Sequence, residues 1–180
     1  MSGLSIAALI IGALLLTGGV LSLAAPAAVR RGLAAFPRSI WPGRILAAVV
    51  LPWAAMALSQ MHLGMFDAWK VHLYWLTPLA IVLCIVYLDE LLSVRALGGL
   101  LLLAAGPILN VARWNPSDWR LIVTVIAYLW ILLGLVFLLS PWWFRRIARF
   151  ASKTDAALYI GGAVRTLLGL GLIILALLVY

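Results

Sequence analysis

Six long apolar spans, with almost no charge inside them, are the feature that most constrains the fold of this chain. A bilayer core is crossed by roughly 20 mostly apolar residues in a helix, and in lipid the backbone polar groups must be satisfied within the segment, so helices are expected. We therefore predict an all-α polytopic membrane protein, a single six-helix transmembrane domain over residues 1–180, arranged as three hairpins at about 4–61, 71–112 and 121–180. The six spans are Leu4–Val29, Ile45–Met61, Val71–Leu88, Ala96–Ala112, Leu121–Phe144 and Ala156–Tyr180.

The composition leaves little sequence for an extramembrane domain or for catalytic chemistry. Hydrophobic residues make up 67% of the chain, whereas soluble domains are about half apolar. The sequence has no Gly-rich phosphate loop, no HExxH motif and no Ser/His/Asp set. Asp89 and Glu90 are adjacent rather than one helical turn apart, so they do not share a helix face. Because catalysis requires positioned polar groups, we predict that the protein is not an enzyme.

The basic residues predict the orientation in the membrane. Ten of the 13 Lys and Arg residues fall in or beside the first, third and fifth loops, and only Lys70, Arg113 and Arg120 fall in the second and fourth. By the positive-inside rule the odd loops face the cytoplasm, so both termini are predicted outside. The formal charge of +8 is then explained by topology and lipid contact rather than by nucleic-acid binding.

The first and last hairpins share a pattern that indicates an internal repeat. Pro26, followed by Arg30 and Arg31, aligns with Pro141, followed by Arg145 and Arg146. At the same offset Gly19 meets Gly134, and Arg38 meets Lys153. The middle hairpin is a candidate third copy with a shortened loop. Chance recurrence of Pro, Arg and small residues at membrane borders is the alternative.

The last hairpin also resembles a known kind of protein. Pro141, the Trp and basic residues after it, Gly161-Gly162 and the apolar tail resemble small two-span bacterial inner-membrane proteins of the YjeT-like type, over residues 123–179. That family has no known function, so the resemblance implies a bacterial inner membrane and no chemistry.

A cluster of soft ligands near the outward ends of spans two and three is the first candidate site. Met61, His62, Met65 and His72, with Met56 just before them, fall within 17 residues. Thioether and imidazole groups suit Cu(I), and His–His or His–Met pairs can hold haem axially. His62 and His72 are therefore candidate haem ligands, and Met61, His62, Met65 and His72 are candidate copper ligands. The alternative is that these side chains only pack or bind lipid headgroups at the interface.

Arg165 is the second candidate, a buried charge within the last span. A guanidinium at membrane depth is a functional hypothesis by default, and Asp89, Glu90 and Asp155 are its predicted partners. The alternative is that its long side chain extends back to the inner interface.

Three function classes remain open. The first is an auxiliary or scaffolding subunit of a larger bacterial membrane complex, indicated by negligible extramembrane mass, Trp-rich borders and abundant small residues that allow close helix contact. The second is a small transporter or substrate-binding module. Six spans in 180 residues resemble in size the substrate-capture subunits of energy-coupling-factor vitamin uptake systems, although those have a cytoplasmic N-terminus. The third is a haem or copper redox module at His62 and His72.

Overall fold

Helices account for the architecture of the part of the chain that the structure describes. A computed structural model describes residues 2–62, 64–87 and 91–180, which contain no strand, so the all-α prediction is confirmed. Two short 3-10 segments, Phe36–Arg38 and Gly64–His72, interrupt the helices. The α-helices are α1 (Gly3–Ala24), α2 (Pro26–Ala35), α3 (Ile40–Gln60), α4 (Leu73–Tyr87), α5 (Leu92–Arg113), α6 (Arg120–Leu139), α7 (Trp142–Ala151) and α8 (Asp155–Leu178).

Five of these helices are long and apolar enough to cross a membrane, as expected for a multi-pass membrane protein. They are α1, α3, α5, α6 and α8, with 20 to 24 residues each. The helix α4 has 15 residues, so the predicted third span is present as a shorter helix. Six crossings are therefore not confirmed by length and composition.

Two predicted spans were too long, and proline is the reason. The span predicted to end at Val29 ends at Ala24, and Pro26 starts the separate helix α2. Similarly, the span predicted to end at Phe144 ends at Leu139, and Pro141 caps α7. Proline has no N–H and cannot continue the hydrogen-bond ladder of the preceding helix, but it fits the first positions of a new one.

The first and last helices form the most extensive pair, α1 with α8. Their contact is built on small residues that recur every seven positions. A methyl group added at Gly12 would lie 2.9 Å from the Gly169 carbonyl oxygen, and one at Gly19 would lie 2.8 Å from the Gly162 carbonyl oxygen. The helices therefore run antiparallel at backbone contact distance, which only glycine allows. The small residues of this repeat, all of them buried, are Ser5, Gly12 and Gly19 on α1, and Gly162, Gly169 and Ala176 on α8.

The second extensive pair joins α5 to α6, and α3 adds to it. A methyl group at Gly98 would lie 2.7 Å from the Gly134 carbonyl oxygen, so this pair is also glycine-mediated. The three predicted hairpins would instead pair α1 with α3, α4 with α5 and α6 with α8, and none of these pairs is among the substantial contacts of the described residues. The hairpin arrangement and its repeat are therefore not confirmed.

The two ends of the helix bundle contain different parts of the chain. Leu4, Ala112, Val123 and Ala176 share one buried cluster, so both termini and the α5–α6 connection lie at one end, which we name the terminal end. The helices α2 and α7 contact each other at the opposite end, which we name the arginine end. The assignment of either end to a membrane face stays a prediction.

Aromatic ring contacts hold α7 and the segment after α2 in place at the arginine end. The Phe144 ring lies between Phe36, 5.5 Å away between centroids, and Phe137, 5.3 Å away. The Ser93 hydroxyl at the start of α5 donates a 2.7 Å hydrogen bond to the Phe36 carbonyl. The contacts of Phe144 with Phe137 and of Ser93 with Phe36 connect the short segments at the arginine end to the long helices α6 and α5.

Candidate functional site

The predicted soft-ligand cluster lies at the terminal end, in the connection after α3. Met61, His62, Met65 and His72 are all exposed, with Met65 93% exposed. The His62 Nδ1 atom lies 4.0 Å from an Asp67 carboxylate oxygen, whereas the His72 ring packs edge-on against Trp69. The two histidines thus have different neighbours.

The carboxylate in this segment is shared with a lysine. The Lys70 ammonium lies 2.7 Å from the other Asp67 oxygen. Among the described residues, no three His, Cys, Asp or Glu side chains gather as a metal site would require. A copper site can also use methionine sulfur, so binding of copper or haem by Met61, His62, Met65 and His72 stays a prediction, and the metal content of the purified protein would test it.

Arg165 lies on the surface of α8, not inside the bundle. It is ten residues beyond Asp155, about 15 Å along the helix, and its side chain is exposed. Its predicted partner Asp155 instead forms an ion pair with Arg30, and Asp89 and Glu90 lie outside the described residues. This exposed placement favours extension of the side chain toward the interface.

An apolar concavity near the bundle centre forms a groove between the two helix pairs. It has a volume of about 620 Å³ and is bounded by α1, α3, α5 and α6. Ala7 and Leu14 on α1 and Ala104 on α5 line it, with Trp53 of α3 and Trp130 of α6. We name it the apolar groove. Its size lies within the range of ligand pockets, and its walls are almost entirely carbon.

The groove lies between α1 and α5, which contact each other at the terminal end. A methyl group at Gly3 would lie 3.0 Å from a Val111 side-chain carbon, at the terminal end. Farther along, α1 turns its small residues to α8 and α5 turns its small residues to α6. Leu14 consequently remains 59% exposed although it lies mid-helix.

The sequence indicated only part of this groove. In the sequence, Trp53 and Trp130 lie mid-span, whereas Trp at a membrane interface would lie nearer a span end. Their positions therefore favour packing between helices. Both are half-buried and line the groove. The groove itself follows from the helix pairing, which no local pattern specifies.

No protein-family model matches the chain, and no curated protein or solved structure shows significant similarity to it. The YjeT-like resemblance of the last hairpin stays a prediction.

Proposed function

We propose that this chain is a non-catalytic integral membrane protein of a bacterial inner membrane, acting as an auxiliary or scaffolding subunit of a larger membrane complex. The apolar groove is the observation that carries the proposal, because it is a lipid-level concavity of about 620 Å³ that the chain's own helices leave open. Its occupant is a transmembrane helix of a partner subunit.

Three properties of the groove favour a helix as occupant. It follows α1 from Gly3 to Leu14, a length of about 17 Å at the rise of an α-helix. Small residues on facing walls, Ala7 and Ala104, allow another backbone to approach closely. Trp53 and Trp130 provide large, stiff surfaces against which helix side chains pack.

The proposal includes a sixth crossing by α4, with both termini outside. Gly43 lies against the Ser93 backbone and Gly99 lies against Val50, so α3 and α5 run in the same direction. The chain between them must then return from the terminal end to the arginine end, and α4 is the helix in that connection. The positive-inside bias supports placing the arginine end in the cytoplasm.

Filling the groove tests the proposal. Ala7→Trp and Ala104→Trp place a bulky ring where the partner helix would lie, and Leu167→Trp is the matched control, because Leu167 is 70% exposed on α8 away from the groove. After extraction in mild detergent, partner polypeptides should co-purify with wild type and Leu167→Trp and be lost from both groove variants. Equal recovery of partners with all three variants, or a partner-free wild type, would contradict it.

The same groove supports a second candidate, a small transporter or binding module for an apolar ligand. Its nearly carbon-only lining suits a hydrocarbon chain or ring system. In that case the groove variants would lose a co-purifying small molecule and not a polypeptide. Mass spectrometry of the same preparations separates the two candidates.

A further inference from the structure

Four arginines line one cleft at the arginine end of the bundle. The cleft has a volume of about 490 Å³ and lies between α2 and α7. Arg30 on α2 and Arg38 just after it face Arg145 and Arg149 on α7. The Leu33, Pro37 and Ala148 side chains supply its apolar part. One arginine of α2, one arginine of the 3-10 segment after it and two arginines of α7 thus line one concavity.

Within the part of the chain that the structure describes, one acid contacts the arginines of this cleft. It is Asp155, which lies 2.5 Å from Arg30. The other described acids, Asp67 and Asp118, lie in connections at the terminal end. Among the described residues, one carboxylate therefore accompanies four guanidinium groups.

The helix α7 itself carries two of these charges on one face. Arg145 and Arg149 are four residues apart, a spacing at which like charges destabilise a helix. The Arg149 Nε atom donates a 3.3 Å hydrogen bond to the Arg145 carbonyl, which leaves both of its terminal Nη nitrogens for a ligand. Such a pair is stabilised when an anion lies between the two guanidinium groups.

Arg30 contributes a donor without an acceptor among the described residues. Its Nε atom is buried and has no hydrogen-bond partner there, although one terminal nitrogen binds Asp155. A buried N–H without an acceptor is unfavourable, so an acceptor oxygen in the cleft would satisfy it. The planar fork of guanidinium donors matches the oxygen geometry of phosphate.

We propose that this cleft is a specific binding site for a phosphate-bearing anion. The four arginines that line one cleft and the Arg30 Nε without a described acceptor favour a compact anion with several oxygens. Trp143, next to these arginines and stacked on Trp142 with a ring-centroid distance of 4.7 Å, is typical of the headgroup level of a bilayer. The phosphate is therefore that of an anionic lipid headgroup or of a soluble phosphate compound at the same level.

A matched pair of variants distinguishes a built site from a diffuse basic surface. Arg149→Gln removes a cleft arginine, and Arg146→Gln removes the same charge from the same helix outside the cleft, where the Arg146 guanidinium lies 5.1 Å from the Trp143 ring centroid. Arg149→Lys keeps the charge and loses the fork. A hydrogen bond to a charged group contributes roughly a tenfold gain in affinity or more, so we expect at least that loss for Arg149→Gln. Arg146→Gln removes only a charge near the headgroup level and should cost about fivefold at most. We expect an intermediate result for Arg149→Lys.

Two probes identify the source of the phosphate. In the first arm, the protein is placed in nanodiscs of phosphatidylcholine with a small fraction of phosphatidylglycerol, and retained lipid is counted by native mass spectrometry. In the second arm, inorganic phosphate is titrated onto the protein in pure phosphatidylcholine nanodiscs. Retention of phosphatidylglycerol that Arg149→Gln abolishes identifies a lipid site, and saturable phosphate binding that Arg149→Gln weakens identifies a soluble ligand.

Two results would overturn the proposed binding site. Equal loss in Arg149→Gln and Arg146→Gln would show a diffuse electrostatic surface and overturn the site. Binding in neither arm by the folded wild-type protein would overturn it as well. Neither result depends on whether a partner helix occupies the apolar groove, so this inference and the proposed function fail separately.

Discussion

At the scale of single residues, glycine positions determine how closely the helices pack. The sequence predicted that glycines such as Gly19, Gly98 and Gly162 would permit close contact, and all three lie at helix crossings. It could not predict which glycine meets which, because Gly18 and Gly171 look the same in sequence and have open space beside them. The distinction depends on the rotation of each helix about its axis, which packing sets.

Two glycines of α8 give a matched test of this packing. A methyl group at Gly169 would lie 2.7 Å from the Gly12 carbonyl oxygen, whereas one at Gly171 would meet nothing within 4 Å. We expect Gly169→Ala to destabilise the protein by about 1–3 kcal/mol through overpacking, and Gly171→Ala to be neutral or stabilising by up to about 1 kcal/mol. Reversible unfolding in mixed detergent micelles measures both, and equal effects would contradict the register.

At the scale of helices, apolar composition predicts where a helix is present, and proline determines where it ends. The apolar spans were correctly identified as helices, but their inner ends were placed beyond Pro26 and Pro141. The hydrophobicity continues past each proline while the backbone ladder does not. The sequence did not predict which helices pack together. The hairpin prediction paired consecutive spans in twos, whereas α1 packs on α8.

The short helix α4 is the element whose role most needs testing. Met65 lies in the connection at the terminal end, and Ser152 lies at the arginine end. If α4 crosses the membrane, these two residues lie on opposite faces of the membrane. In a Cys84→Ala background, Met65→Cys should react with a membrane-impermeant maleimide from outside intact cells, and Ser152→Cys should react only after the membrane is opened. Labelling of both from the same side would contradict the six-crossing topology.

At the scale of the whole molecule, the helices form two tightly packed pairs with a groove between them. The five long helices were expected as spans, whereas the groove was not. Its walls come from α1, α3, α5 and α6, whose residues carry no shared local signal. Apolar residues facing a partner helix and apolar residues facing lipid look alike in sequence, because lipid is as apolar as leucine.

The proposed function depends on a transmembrane helix of a partner subunit filling the apolar groove. Native mass spectrometry of the protein, extracted gently from its own membranes, is the measurement that decides this. If a partner helix fills the groove, the extracted complex has a mass well above the 19.5 kDa of the chain. That complex dissociates into this chain and at least one other polypeptide. A bare chain of 19.5 kDa, with or without a small ligand, would contradict the claim.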